Sequence, residues 1–152
     1  MGRRNLSRLT LALALASAAL CASAAAGAPP FRVLATGKTE GRGQAPHAYL
    51  ARSRSASWLA RLAPADRAKV RKVDFSRSQV GGVFLDGSVC AFDPAITSFS
   101  RAGALVRVRV AFTRPPIGVA TCIKQDTPYV VFSFARTKTP ASRIQVTPVA
   151  RA

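Results

Sequence analysis

Few side chains in this sequence combine the residue type and the spacing that reaction chemistry requires. His47 is the only histidine, and an imidazole that titrates near neutrality can serve as a general base. A triad built on it needs a serine held in a nucleophile elbow, and no G-x-S-x-G occurs. H-E-x-x-H is likewise missing, as is any His/Cys cluster spaced to ligate a metal. These patterns predict His47 at a surface or strand edge, with no catalytic residue, no metal ligand set and no cofactor.

The carboxylates point the same way. Asp86 belongs to the turn Asp86-Gly87, Asp93 stands before Pro94, and Asp126 precedes Thr127-Pro128. Asp74 lacks such a local task and is read as a cap for the Phe75-Ser76 turn or an ion-pair partner for an arginine. Gly81-Gly82 has no surrounding phosphate-loop pattern. It reads as a bulge or bend ahead of a strand. The whole stretch DFSRSQVGGVFLDGSVC, from Asp74 to Cys90, is therefore expected to be scaffold.

The three cysteines are Cys21, Cys90 and Cys122. The first lies in a leader: Arg3, Arg4 and Arg8 precede an uncharged Leu/Ala run from Leu9 to Leu20, and Ala22-Ser23-Ala24 and Ala24-Ala25-Ala26 follow. A basic end, a short apolar middle and small residues in A-x-A frames form a secretory signal peptide. Cleavage is expected after Ala24 or Ala26, by the general export route. Arg3-Arg4 is only a weak twin-arginine match because Ser7 falls where an apolar residue is usual. Left uncut, the leader would be the chain's one tie to a membrane. Cys90 and Cys122 remain in the exported part, without C-x-x-C spacing, and an even count in an oxidising compartment predicts a disulfide.

Without residues 1–26 the chain keeps 20 basic residues against six acids, a formal charge of +14. About 126 residues suit a single domain with a modest core. Such a charge attracts polyanions: anionic cell-wall polymer, lipid headgroups or an acidic protein. The arginines are scattered, and no aromatic-rich strand with interleaved basic residues offers a stacking platform. Non-specific polyanion affinity is expected, and specific nucleic-acid binding is not.

The elements that must carry these residues are mostly strands. Phe31 to Ala35 and His47 to Arg52 read as short strands flanking a polar loop, TGKTEGRGQAP. Ser55 is a plausible N-cap for SWLARLAP, which places Trp58 and Leu62 on one helical face, with Pro64 as its stop and another turn over 65–72. Val83–Leu85 and Ser88–Phe92 around Asp86-Gly87 read as a hairpin. Ala104 to Thr113 alternates, with Val106, Val108, Val110 and Phe112 opposite Arg107 and Arg109, so one face meets a core and the other meets water. Pro115-Pro116 ends it. Tyr129 to Ala135 is apolar on both faces and should be central; Ile144 to Val146 is a last short strand. The fold class is α+β, a mainly antiparallel sheet or half-barrel with one short helix. The expected core is Trp58, Leu62, Phe84, Phe92, Val108, Val110, Phe132 and Phe134.

This order of features resembles the PrcB-like domain, named after a protease-complex subunit of bacteria. The matching residues are Ser55-Ala56-Ser57-Trp58-Leu59 for a Trp-bearing short helix, Val73-Asp74-Phe75 for an element that leads into a strand, and Thr127-Pro128-Tyr129-Val130-Val131 for the start of a late strand. Pro115-Pro116 falls where the family has prolines after its longest strand. The similarity spans about residues 31 to 147 of a single domain, 27–152. One element departs: Gly87-Ser88-Val89-Cys90 replaces a Gly-Gly-Tyr-like motif. The resemblance implies a bacterial protein of the cell envelope or exterior, a non-catalytic protein-interaction module that associates with or stabilises an exported protease or other envelope protein. Basic surface-polymer binding and protease inhibition are the alternatives.

Overall fold

Tyr129–Ala135 has apolar residues at both parities, a pattern that makes sense only for a strand covered on two sides. In the computed structural model it lies within one of the two interior strands of a four-stranded sheet, and Tyr129, Val130, Val131 and Phe132 are fully buried. Residues 30–40, 46–85, 91–114 and 126–151 are described. The leader, the Asp86-Gly87 turn, Pro115-Pro116 and both Cys90 and Cys122 lie outside them.

The elements run β1 (Phe31–Thr39), β2 (His47–Ala51), a 3-10 turn (Ser57–Arg61), α1 (Pro64–Arg71), β3 (Ser78–Phe84), β4 (Phe92–Ala102), β5 (Leu105–Thr113), β6 (Thr127–Ala135) and β7 (Arg143–Arg151). They form an α+β fold with two sheets, ordered β1-β6-β3-β2 and β4-β5-β7. Every pairing is antiparallel except β5 with β7, which is parallel. The sheets face each other over one apolar cluster that includes Val83, Val106, Val108, Val110, Val130 and Phe132. The helical layer covers the other face of the four-stranded sheet over a second cluster, including Trp58, Leu59, Leu62, Val70, Phe84 and Val131. Each fully buried side chain of this kind contributes about 1.5–3 kcal/mol relative to exposure. At the flanks β2 approaches β7 and β1 approaches β4.

Several local expectations give way to this packing. Pro64 does not stop the helix; it starts α1, where its fixed φ and missing N–H cost nothing. Ahead of it lies a 3-10 turn with no side-chain cap, and the Ser55 hydroxyl faces Ser53 at 2.8 Å instead. The hairpin expected between Val83–Leu85 and Ser88–Phe92 falls partly on residues 86–90, outside the described segments, and its described flanks pair elsewhere. Strand β3 is paired on both edges, by β2 and β6, and β4 belongs to the other sheet beside β5. A hairpin joins β4 and β5, whose Ala102–Leu105 pair closes over Gly103 at φ 56. A two-residue loop of this kind needs positive φ, which glycine adopts freely.

Strand β4 tolerates Asp93-Pro94 because the register slips between Phe92 and Ala95, with Asp93 at φ 48. Proline lacks a ladder donor and so sits at such an irregularity on an edge strand. Phe92 is only half-buried, unlike the rest of the expected core, and the Lys38 ammonium stands 4.3 Å from its ring centre. Gly81-Gly82 is not a bend ahead of a strand but the middle of β3. A Cβ at Gly81 would collide with Phe132 Cζ and meet two more carbons of that ring at 2.8 and 2.9 Å, and one at Gly82 would meet Trp58 ring carbons at 2.6 and 2.7 Å. The two glycines thus let one aromatic ring lie flat on each face of the strand.

Candidate functional site

Two groups of polar residues stand out, one inside the molecule and one outside. The inner one joins α1 to β6. Asp66, on the first turn of α1, is buried and accepts hydrogen bonds from the Tyr129 hydroxyl at 2.7 Å and from Lys69 Nζ at 2.8 Å. The Tyr129 oxygen in turn accepts the Ala63 N–H at 3.3 Å. Burial pushes the Asp66 carboxyl up, but the Lys69 and Tyr129 hydrogen bonds together outweigh it and hold its pKa below the usual value. Burial and the bond to Asp66 push the Tyr129 phenol up to about 12. Together these bonds clamp the first turn of α1 to β6.

Other polar groups are spent in the same way. Buried Gln79 imitates a strand, donating to the Ala141 carbonyl at 3.1 Å and accepting the Ala141 N–H at 2.8 Å. Asp74 takes the Ser76 hydroxyl at 2.6 Å and the Ser76 N–H at 2.9 Å, with Arg77 at 3.8 Å. This is the turn cap that its sequence context suggested, and the Ser76 bonds lower its pKa. His47 is exposed at the start of edge strand β2, with its ring 6.3 Å from that of Tyr49. Among the described residues no group of three or more His, Cys, Asp or Glu could hold a metal ion. Nor is any helix among them long and apolar enough to cross a membrane.

The arginines divide into two sets. One set ties loops to the framework through backbone carbonyls. Arg101 reaches the carbonyls of Gly103, Ala135 and Thr139; Arg52 reaches Ala141; Arg136 reaches Phe75; and Arg67 reaches Ala60 and Leu62. The other set stands on the outer face of the three-stranded sheet. Arg107 and Arg109 alternate with the buried valines of β5, and both are exposed. The parallel neighbour β7 places Arg143 beside Leu105, Gln145 beside Arg107 and Thr147 beside Arg109. On the opposite side β4 contributes Ser100 beside Arg107 and Ser98 beside Arg109. Arg107 makes only a long 3.4 Å contact with Gln145. The head groups of Arg109 and Arg143 engage no side-chain partner among the described residues.

Same-face residues two apart on a strand are about 6.8 Å apart, and neighbouring strands lie about 4.8 Å apart. Arg143, Arg107 and Arg109 thus form a short, regular row of cations with hydroxyl and amide groups on both sides. Between the Leu105 and Arg109 rungs this face carries no carboxylate and no aromatic ring. Half of it was legible in the sequence, because β5 alternates. The contribution of β7 was not, because a parallel pairing between segments so far apart leaves no local signal. Comparison with known proteins finds nothing similar: no family model, no curated protein and no solved structure matches this chain.

Proposed function

We propose that the chain is an exported, non-catalytic binding module that holds an anionic polymer of the cell envelope against the outer face of the β4-β5-β7 sheet. The observation that carries this reading is the row of Arg143, Arg107 and Arg109, flanked by Ser98, Ser100, Gln145 and Thr147 and free of acids. A repeating anion can meet such a row at several points at once, and its affinity then depends on salt. Protein interfaces, by contrast, rely on central anchors, above all aromatic ones, and between the Leu105 and Arg109 rungs this face offers no aromatic ring and Leu105 as its one large apolar side chain. Base stacking would need aromatic rings that are likewise missing from it. The leader pattern of residues 1–26 supports export, with the mature chain beginning after Ala24 or Ala26. The Cys90–Cys122 bond remains part of the proposal, since both residues lie outside the described segments.

The test is chromatography of the mature chain on a phosphate-rich and a carboxylate-rich polymer. Retention is expected at low salt and should vanish near about 0.5 M, where screening is strong. The triple variant R107Q/R109Q/R143Q should elute early on both. Retention that ignores salt, or that survives the triple substitution, would remove this reading.

A second reading is an exported protein partner, such as the envelope protease implied by the PrcB-like order of motifs. One observation favours it. Arg61 stands 5.8 Å from the Tyr49 ring and 5.3 Å from the Phe84 ring, bonds the Tyr49 hydroxyl at 2.9 Å, and adjoins the Tyr49–Trp58 stack beside edge strand β2. Tyrosine, tryptophan and arginine are the residue types that dominate protein hot spots. Capture of one defined protein by the wild type, lost in Y49S/R61Q but not in the triple arginine variant, would select this reading over the first.

A further inference from the structure

The helical layer stops short of the end of the sheet it covers, and the space left over is a groove of about 540 Å³. Its floor is strand surface: Ser133 of β6 and Ser78 of β3. One wall is β1, where Arg32 pairs in register with Ser133. The other wall is the last turn of α1 and the residues after it, with Lys69, Lys72 and, at the lip, Asp74. We propose that this groove is a binding site for a small phosphorylated molecule, taken up through its phosphate group. The site is separate from the basic sheet face, because the helical layer and that face lie on opposite sides of the molecule. It does not depend on the polymer reading.

Charge, donors and shape all contribute. Arg32 and Lys72 are exposed and have no ion pair or hydrogen bond from their head groups among the described residues. Lys69 is held in place by its 2.8 Å bond to Asp66 and keeps further N–H donors for a ligand. The Ser78 and Ser133 hydroxyls make no hydrogen bond among the described residues and supply neutral donors between the cations. The two acids nearby are already engaged, Asp66 by Tyr129 and Lys69, and Asp74 by Ser76 and Arg77. A helix C-terminus would ordinarily repel an anion. Here the Lys69 and Val70 carbonyls are taken by the N–H groups of Lys72 and Val73, so they are not presented to the groove.

A phosphate carries about 1.5–2 negative charges at neutral pH and strong acceptor oxygens, which suits three cations and two hydroxyls better than a carboxylate does. Leu34 and Val73 line the same groove, leaving an apolar flank for a carbon body attached to the phosphate. The volume falls within the roughly 300–1,000 Å³ usual for small-molecule sites. The phosphate could arrive on a soluble ester or on a lipid, and these sources are separated by experiment.

The test is titration of the ¹⁵N-labelled mature chain with glycerol phosphate, with acetate in parallel, and flotation with phosphatidate vesicles. Saturable amide shifts with glycerol phosphate are expected at Arg32, Lys72, Ser78 and Ser133, with little response to acetate. The variant R32Q/K72Q should weaken binding about tenfold or more, whereas R107Q/R109Q should leave it unchanged. Both pairs are exposed, and a preserved spectrum verifies that each variant folds. Flotation lost in R32Q/K72Q would identify a lipid as a source; binding of the soluble ester alone would identify a free metabolite. Shifts that do not saturate, that match those with acetate, or that persist in R32Q/K72Q would overturn the proposal.

Discussion

The Tyr129 hydroxyl donates a 2.7 Å hydrogen bond to Asp66 Oδ2, which fastens the first turn of α1 to the buried interior strand β6. Replacing Tyr129 with Phe leaves that carboxylate oxygen buried without its donor, a loss of about 1–3 kcal/mol. The pH dependence follows from the direction of each shift. The Tyr129 pKa is raised to about 12, by burial first and the Asp66 bond second. Its contribution is therefore complete below about pH 10, the unfolded value, and lost as pH rises through the folded one. The Asp66 pKa is lowered, so its contribution is present above about pH 4 and lost as pH falls through the folded value. Denaturant midpoints from pH 2 to pH 12 should show both limbs in the wild type, and the alkaline limb should be shallower in Y129F.

Gly81 lies beneath the ring of Phe132, its cross-strand partner. An alanine there would push a methyl carbon against that ring, an overpacking cost of about 1–3 kcal/mol. The double variant G81A/F132L, with a slimmer side chain above, should recover part of the loss. If chemical denaturation showed the two changes to be additive, the contact would not be what constrains this position.

Gln79 supplies two of the three bonds that the Ala141 backbone makes, and Arg52 supplies the third, to the carbonyl. A leucine there fills a similar volume but leaves the buried Ala141 N–H without its acceptor, which costs about 1–3 kcal/mol, while the carbonyl keeps Arg52. In Q79L the Ala141 amide should exchange hydrogen much faster than in the wild type while the β6 amides keep their relative protection. Equal rates in the two proteins would show that Ala141 finds another partner.

On the basic sheet face, each arginine removed should lower the salt sensitivity of polymer binding as well as its strength. Stepwise replacement of Arg107, Arg109 and Arg143 by Gln should flatten the dependence of log affinity on log salt at each step. A slope that stays constant while affinity falls would place the contacts elsewhere.

The expected Cys90–Cys122 bond would close a loop of about 33 residues, worth about 3–4 kcal/mol by chain entropy. Intact mass of exported protein, alkylated with and without prior reduction, should show two thiols only after reduction. Free thiols without reduction would remove the bond from the fold's stability.

What the sequence revealed depended on whether a signal was local. The alternation of β5 and the two-sided apolar run of β6 are local, and both strands take the places these patterns imply. The cap role of Asp74 is local too, reaching only to Ser76 and Arg77. Partner choice is not local. Asp86-Gly87 between two apolar runs signals a hairpin, yet β3 is claimed on both edges by strands far away in sequence. Pro64 marks a helix boundary in either direction, and whether the boundary is a start or a stop depends on how Trp58 and Leu62 reach the sheet. Strand β4 was obscured by Asp93-Pro94, which a bulge absorbs. Gly81-Gly82 reads as a break until the rings of Phe132 and Trp58 are placed over it. The basic face combines a legible strand with one whose register nothing in its own residues specifies.

Strand β7 joins β5 side by side and in the same direction, although β6 and its place in the other sheet intervene between them. The arginine row is consequently split between β5 and β7, the last of the described strands. A chain emerging from a ribosome or a translocation channel cannot display it until Arg143–Arg151 has followed. The row is therefore assembled only when β7 has been laid beside β5, and losing β7 would take Arg143 from it while leaving in place the pairings of β6 with β1 and β3.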